Sequence, residues 1–213
     1  MKKIGVIHTT PSTIESTAAL IRELIPDSQV MNILDDTILP DMAAERNIHY
    51  VRERWAKYAS ILAKMGADAV LSACSTVGPF AEECNENMDI PVVRIDEAMA
   101  DEAVKKGVNI TVLATFKPTL KPTTDLIRRK NRDIHLKTVL IDEAYRELHS
   151  GNIEKHNTLI VEKVREEAAN ADVIVLAQAS MANALQGAEG IDLDKILTSP
   201  RLGILRLKEI LEK

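Results

Sequence analysis

The sequence predicts an α/β fold built as two pseudo-symmetric halves, and three observations carry that prediction. Short β-branched runs alternate with longer amphipathic stretches from one end of the chain to the other. Such alternation means parallel strands joined by right-handed helical crossovers, a Rossmann-like arrangement. The chain also repeats itself, in the same order, at offsets near half its length, which argues for two similar halves facing each other. With 213 residues, 46% of them hydrophobic, there is enough material for one large domain or two small ones.

Strands are expected near 3–7, 29–33, 69–73, 92–94, 109–114, 136–141, 173–177 and 196–198, each a short β-rich run. The first lies in "MKKIGVIHTT", where two lysines precede an apolar stretch as they would in a signal peptide. That stretch is too short and runs on into His8-Thr9-Thr10, so it reads as a strand. The segment "DDTILPDMAAERN" reads as a loop. After it, "NIHYVRERWAKYASILAKMG" is the clearest helix, with Ile48, Val51, Trp55, Tyr58 and Leu62 at spacings of three and four. In "AVLSACSTVGPF" an apolar run ends in Ala73 and Cys74, and Gly78-Pro79 opens the next helix.

The second half then restates the first. "ITVLATF" at 110–116 matches "IGVIHTT" at 4–10 with an offset of 106, pairing Thr115 with Thr9; Pro11 and Thr13 recur, in a slipped register, as Pro118 and Thr119. "DVIVLAQAS" at 172–180 matches "DAVLSACST" at 68–76, and "KILTSPRLG" matches "PVVRIDEAM", both with an offset of 104. The halves are therefore expected at 1–95 and 96–200, with the final helix, 201–213, packing back on the first.

Composition removes several classes of function. A net charge of −5, with Lys and Arg spread over helical faces, offers no electrostatic footprint for nucleic acid. No apolar run approaches the ~20 residues of a membrane span. Two cysteines, Cys74 and Cys84, are too few for a disulfide framework, so a reducing, cytoplasmic setting is expected. No ligand set has zinc-type spacing, and no glycine-rich phosphate loop is present, so neither metal nor nucleotide cofactor is expected. A homo-oligomer stays open.

In a parallel sheet, ligands bind outside the carboxyl ends of the strands, and facing halves would line one central cleft with those ends. Cys74 stands at one, opposite Gln178 in the repeat. The free amides and positive dipole end of a following helix stabilise a thiolate, and with the Ser75 and Thr76 hydroxyls they make a cradle for a carboxylate or enolate. The alternative for Cys74 is a small buried hydrophobe. His8 ends the neighbouring strand, where an imidazole would serve as acid or base at physiological pH, or simply be hydrogen-bonded beside the cleft. Thr9, Thr10 and Ser12, with Thr115, Lys117 and Thr119 in the repeat, offer hydroxyls and amides to an anion; helix capping is their ordinary role.

At these residues the sequence resembles the aspartate/glutamate/hydantoin racemase superfamily. The likeness runs through "HTTPS", "ACST", "IPVVRIDEAMADEAV", "VLATFKPTL", "VLAQASM" and "LTSPRLG", and so covers essentially the whole chain. It implies two pseudo-symmetric α/β domains with the active site between them, and cofactor-independent chemistry by two cysteines on opposite faces of the substrate's α-carbon. Cys74 matches the first-half catalytic cysteine, with Ser75 and Thr76 in the carboxylate-binding loop. Gln178 stands where the second-half cysteine belongs.

Glutamine does not exchange protons near neutral pH, so symmetric two-base racemisation is not expected. Gln178 keeps its hydrogen-bonding groups and, with Ser180, would orient a carboxylate or enediolate oxygen. The leading expectation is a racemase or isomerase acting at the carbon α to the carboxylate of a small acid, of the amino-acid or dicarboxylate type. Cys74 would serve as acid/base, or as a nucleophile that forms a covalent adduct, as the resemblance to the superfamily's maleate isomerases implies. The alternatives are a one-base decarboxylase of the arylmalonate type and a non-catalytic protein that binds an acidic metabolite.

Overall fold

The computed structural model describes all residues, Met1–Lys213. In chain order the elements are β1 (Lys2–His8), α1 (Ile14–Leu24), β2 (Ser28–Leu34), α2 (Ile38–Ala43), α3 (Ile48–Lys64), β3 (Ala69–Ser72), α4 (Gly78–Asn85), β4 (Val92–Arg94) and α5 (Glu97–Lys106). They continue with β5 (Asn109–Ala114), α6 (Lys117–Lys130), β6 (His135–Leu140), α7 (Asp142–His149), α8 (Ile153–Ala168), β7 (Val173–Leu176), β8 (Ile196–Thr198) and α9 (Ser199–Leu211). Two compact units result, Met1–Glu97 with Pro200–Lys213, and Ala98–Ser199. Within the stretch expected to be a loop, α2 adds a short helix anchored by the buried Ile38.

The first unit is a four-stranded parallel sheet in the order β2-β1-β3-β4, with Ile4 opposite both Val30 and Ala69, and Val70 opposite Val92. Because successive side chains point to opposite faces of a strand, the sheet builds two cores. Ile4, Val6, Leu71 and Val93 meet Ile21 of α1 and Ile204 and Leu207 of α9. On the other face Ile7, Val70 and Val92 meet Val51, Trp55, Ala59 and Leu62 of α3 and Phe80 of α4. The apolar spacing noted in α3 is thus its buried stripe. The last helix reaches this sheet at close range: a Cβ on Gly203 would lie 2.2 Å from the Ile95 carbonyl oxygen, so only glycine fits there.

The second unit repeats the plan, with strand order β6-β5-β7-β8, all parallel. One of its cores joins Leu113, Ile174 and Leu176 to Ala144 of α7 and Ile160 and Val164 of α8. The likeness extends to single hydrogen bonds. Asp68 accepts the Lys3 amide at 2.7 Å, and its counterpart Asp172 accepts the Asn109 amide at 2.8 Å. Ala73 donates to the Ile7 carbonyl at 3.0 Å, and Ala177 to the Leu113 carbonyl at 2.9 Å. The next residue along is Cys74 in one unit and Gln178 in the other.

Candidate active site

In the first unit the chain leaves β3 through Ala73 and reaches Cys74 in extended backbone, φ −140° and ψ 117°. Ser75–Val77 form one 3-10 turn that continues into α4. Pro79 falls in the first turn of α4, where the missing N–H costs nothing because first-turn amides have no partner within the helix. Cys74 is half-buried and packs against the core that contains Val77 and Phe80. Beside it Ser75 and Thr76 are buried, and the Ser75 hydroxyl has no hydrogen-bond partner. A buried hydroxyl left unpaired is costly, and an anionic oxygen at this turn would satisfy it.

A charged brace lies under the same turn. Arg94, only 2% exposed, donates from Nε and Nη2 to the two carboxylate oxygens of Asp96 at 2.8 and 2.9 Å, and from Nη1 to Glu82 at 2.7 Å. Burial works against the guanidinium's charge, but Asp96 and Glu82 outweigh it and hold its pKa above the ordinary arginine value. Glu82 lies on α4, Arg94 and Asp96 at the end of β4, so the network ties the Cys74 turn to the sheet. A second network closes the end of β2. Asp35 accepts from the Thr37 hydroxyl at 2.6 Å and the Tyr58 hydroxyl at 2.8 Å, and pairs with Arg54 at 2.9 Å. Burial pushes this carboxyl up, but the bonds from Thr37 and Tyr58 and the charge of Arg54 bring it below the usual carboxylate range. Neither network was expected from the sequence. The available signal was a lone arginine inside the apolar run "PVVRID", with an aspartate two residues on.

Two roles were open to His8, acid or base toward Cys74 and a side chain simply hydrogen-bonded in place, and its surroundings favour the second. It shares the face of β1 with Ile4 and Val6, on the α1 side of the sheet, while Cys74 packs on the α3 side. Its Nε2 lies 2.9 Å from Asn32 Oδ1 and its Nδ1 2.9 Å from Thr13 Oγ1, and the residue is fully buried. The Asn32 oxygen only accepts, so Nε2 carries the proton. Burial pushes the imidazole's pKa below the ordinary value, and the Asn32 bond offsets part of that shift. Both nitrogens are occupied inside the unit.

The hydroxyls divide between roles. Thr10 heads the 3-10 turn Pro11–Thr13 without a side-chain cap bond; instead its hydroxyl oxygen receives Ser12 Oγ at 3.3 Å. Thr9 is buried.

At the corresponding turn of the second unit, Phe116 heads α6 without a side-chain cap bond, and Thr115 and Thr119 are buried. Gln178 reaches across to this turn: its Oε1 accepts from the Thr115 amide at 2.7 Å and the Phe116 amide at 3.3 Å, and its Nε2 donates to Thr115 Oγ1 at 3.0 Å. These three contacts lie within the unit; they occupy Oε1 and one of the two hydrogens on Nε2. A 3-10 helix, Ala179–Leu185, follows in place of an α-helix, with Ser180 half-buried in it. No group of three or more His, Cys, Asp or Glu side chains is arranged to hold a metal ion.

Fold and site together define a class of protein, an α/β protein of two parallel-sheet units with a thiol at one strand end and no second thiol at the equivalent one. The chain belongs to the Asp/Glu/hydantoin racemase family, whose model matches residues 4–193. Solved structures with the same fold include glutamate racemase from Bacillus anthracis, 16% identical, TM-score 0.78, covering 99% of this chain and 82% of that one. Aspartate racemase from Picrophilus torridus is 15% identical, with TM-score 0.78 and coverage of 100% and 95%. An aspartate racemase homologue from Pyrococcus horikoshii is 19% identical, with TM-score 0.73 and both chains covered in full. No curated protein sequence matches the chain significantly.

Proposed function

We propose that this protein is a cofactor-independent enzyme acting at the carbon next to the carboxylate of a small amino-acid or dicarboxylic acid, with Cys74 as its only acid/base thiol. The observation that carries this is the pairing of a half-buried thiol with the unpartnered Ser75 hydroxyl at the head of one helical segment. Membership of a racemase family supports the reaction class.

In this mechanism the Cys74 thiolate removes the α-proton while charge moves onto the carboxylate oxygens. The Ser75 hydroxyl and the amides of the turn stabilise that charge where it develops, and the Cys74 thiol, its proton exchanged with solvent, returns one to the same face. On an amino acid this step alone is exchange of the α-hydrogen, and inversion would need a proton delivered from the opposite face. Thr76, Thr9, Thr10, Thr115, Thr119 and Ser180 are the further substrate-binding candidates. With Gln178 at the equivalent strand end, proton transfer belongs to a single thiol. That asymmetry favours a second reading within the same site, a one-thiol lyase in which an α-carboxylate leaves as carbon dioxide and Cys74 protonates the resulting enediolate. A reducing compartment such as the cytoplasm suits both readings, because each needs a free thiol. The test compares Cys74→Ala with Cys84→Ala. Turnover should vanish in the first with folding intact and persist in the second; equal loss in both, or activity in neither variant nor parent, leaves a metabolite-binding protein as the better account.

A further inference from the structure

The three hydrogen bonds of Gln178 have a consequence for Thr115. The orientation of the carboxamide is fixed by its partners, because turning it over would set Nε2 against two backbone N–H donors. Thr115 Oγ1 is then obliged to accept from Nε2. A hydroxyl has one proton to give, and within this unit that proton finds no acceptor. Thr115 is 1% exposed, so the result is a buried, directed donor.

We propose that Gln178 is a positioning residue that holds the Thr115 hydroxyl as a one-way donor to an oxygen of the substrate's carboxylate, or of the enediolate formed from it. This rests on the reading of Thr115 as a substrate-binding residue. The same carboxamide occupies the Thr115 and Phe116 amides, so what Thr115 contributes to recognition is its hydroxyl. A thiol at position 178 would supply neither the strong oxygen acceptor nor the amide donor. Glutamine at the second strand end thus exchanges a proton-transferring group for an oriented hydrogen bond.

Malonate serves as the probe. Its dissociation constant is measured by calorimetry for the parent protein, Thr115→Val, Gln178→Met and the double variant. Each single change should weaken binding about tenfold, and the double variant should bind no worse than Thr115→Val, because Gln178 acts only through Thr115. Losses that multiply in the double variant, or parental affinity in Gln178→Met, overturn the proposal. A second arm needs no ligand. In Gln178→Glu the carboxylate accepts from the same two amides, so the Thr115 and Phe116 amide resonances should acquire a carboxylate titration that the parent lacks. A flat profile overturns the hydrogen-bond geometry. If the titration appears but the parent protein binds no malonate, the carboxylate substrate itself is refuted, and the role given to Thr115 falls with it.

Discussion

A Cβ on Gly78 would lie 2.6 Å from Cζ of Arg94. The first residue of α4 is thereby pressed against a buried guanidinium that is anchored on Asp96. Alanine normally favours a helix over glycine by about 1 kcal/mol, but here the added methyl must displace Arg94. Gly78→Ala should instead destabilise the protein, by about 1–3 kcal/mol, in denaturant unfolding. A stabilised variant would show that the brace yields freely. Arg94→Met strands Asp96 as an unpaired buried charge and should cost more, about 3–5 kcal/mol.

Ser75→Ala separates binding from folding. The hydroxyl has no protein partner, so its removal should leave the unfolding midpoint unchanged or slightly raised. Malonate affinity should fall about tenfold, the cost of a hydrogen bond to a charged ligand. A marked loss of stability with unchanged affinity would place the Ser75 oxygen in the scaffold and not in recognition.

The two thiols should differ in reactivity. Cys84 is buried in α4, and burial together with the neighbouring Glu83 charge pushes its pKa up; thiol is the unreactive form. Iodoacetamide near pH 7.5, followed by peptide mass spectrometry, should label Cys74 well before Cys84. Comparable rates at both would remove the distinction on which the assignment of Cys74 depends.

Stability should fall as the solution is acidified through the histidine range. The folded pKa of His8 lies below the unfolded value of about 6.5, so the unfolded chain takes up the proton first. The stability His8 confers is complete above that value and is lost as pH falls toward its folded pKa. Unfolding free energies measured from pH 7.5 to 5 should decline more steeply in the parent than in His8→Gln. Parallel slopes would mean that another group governs this range.

Much of the fold was legible because periodicity reports directly on burial: Ile48, Val51, Trp55 and Leu62 face one core in the structure as their spacing implies. The matched carboxylates Asp68 and Asp172 carry the repeat down to backbone bonds. Cys74 could be placed at a strand end from the apolar run that precedes it. What the sequence hid is side-chain direction. His8 and Cys74 end adjacent strands, but their packing on opposite sheet faces follows from where each strand leaves the sheet. The inward turn of Gln178 onto Thr115 likewise depends on a contact across 63 positions. The Arg94 brace was hidden for the same reason, since its partner Glu82 lies on another element.

The most direct test of single-thiol chemistry at an α-carbon is solvent deuterium entry, followed by proton NMR. The parent protein, Cys74→Ala and Gln178→Cys are each incubated in deuterated water with the enantiomers of aspartate and glutamate and with small α-substituted dicarboxylic acids. For at least one of these acids the parent should place deuterium at the α-carbon with little inversion, or release carbon dioxide with deuterium taking its place. Cys74→Ala should do neither, and Gln178→Cys should gain inversion. Rapid interconversion of both enantiomers by the parent protein, or label entering equally with Cys74→Ala, would contradict the account.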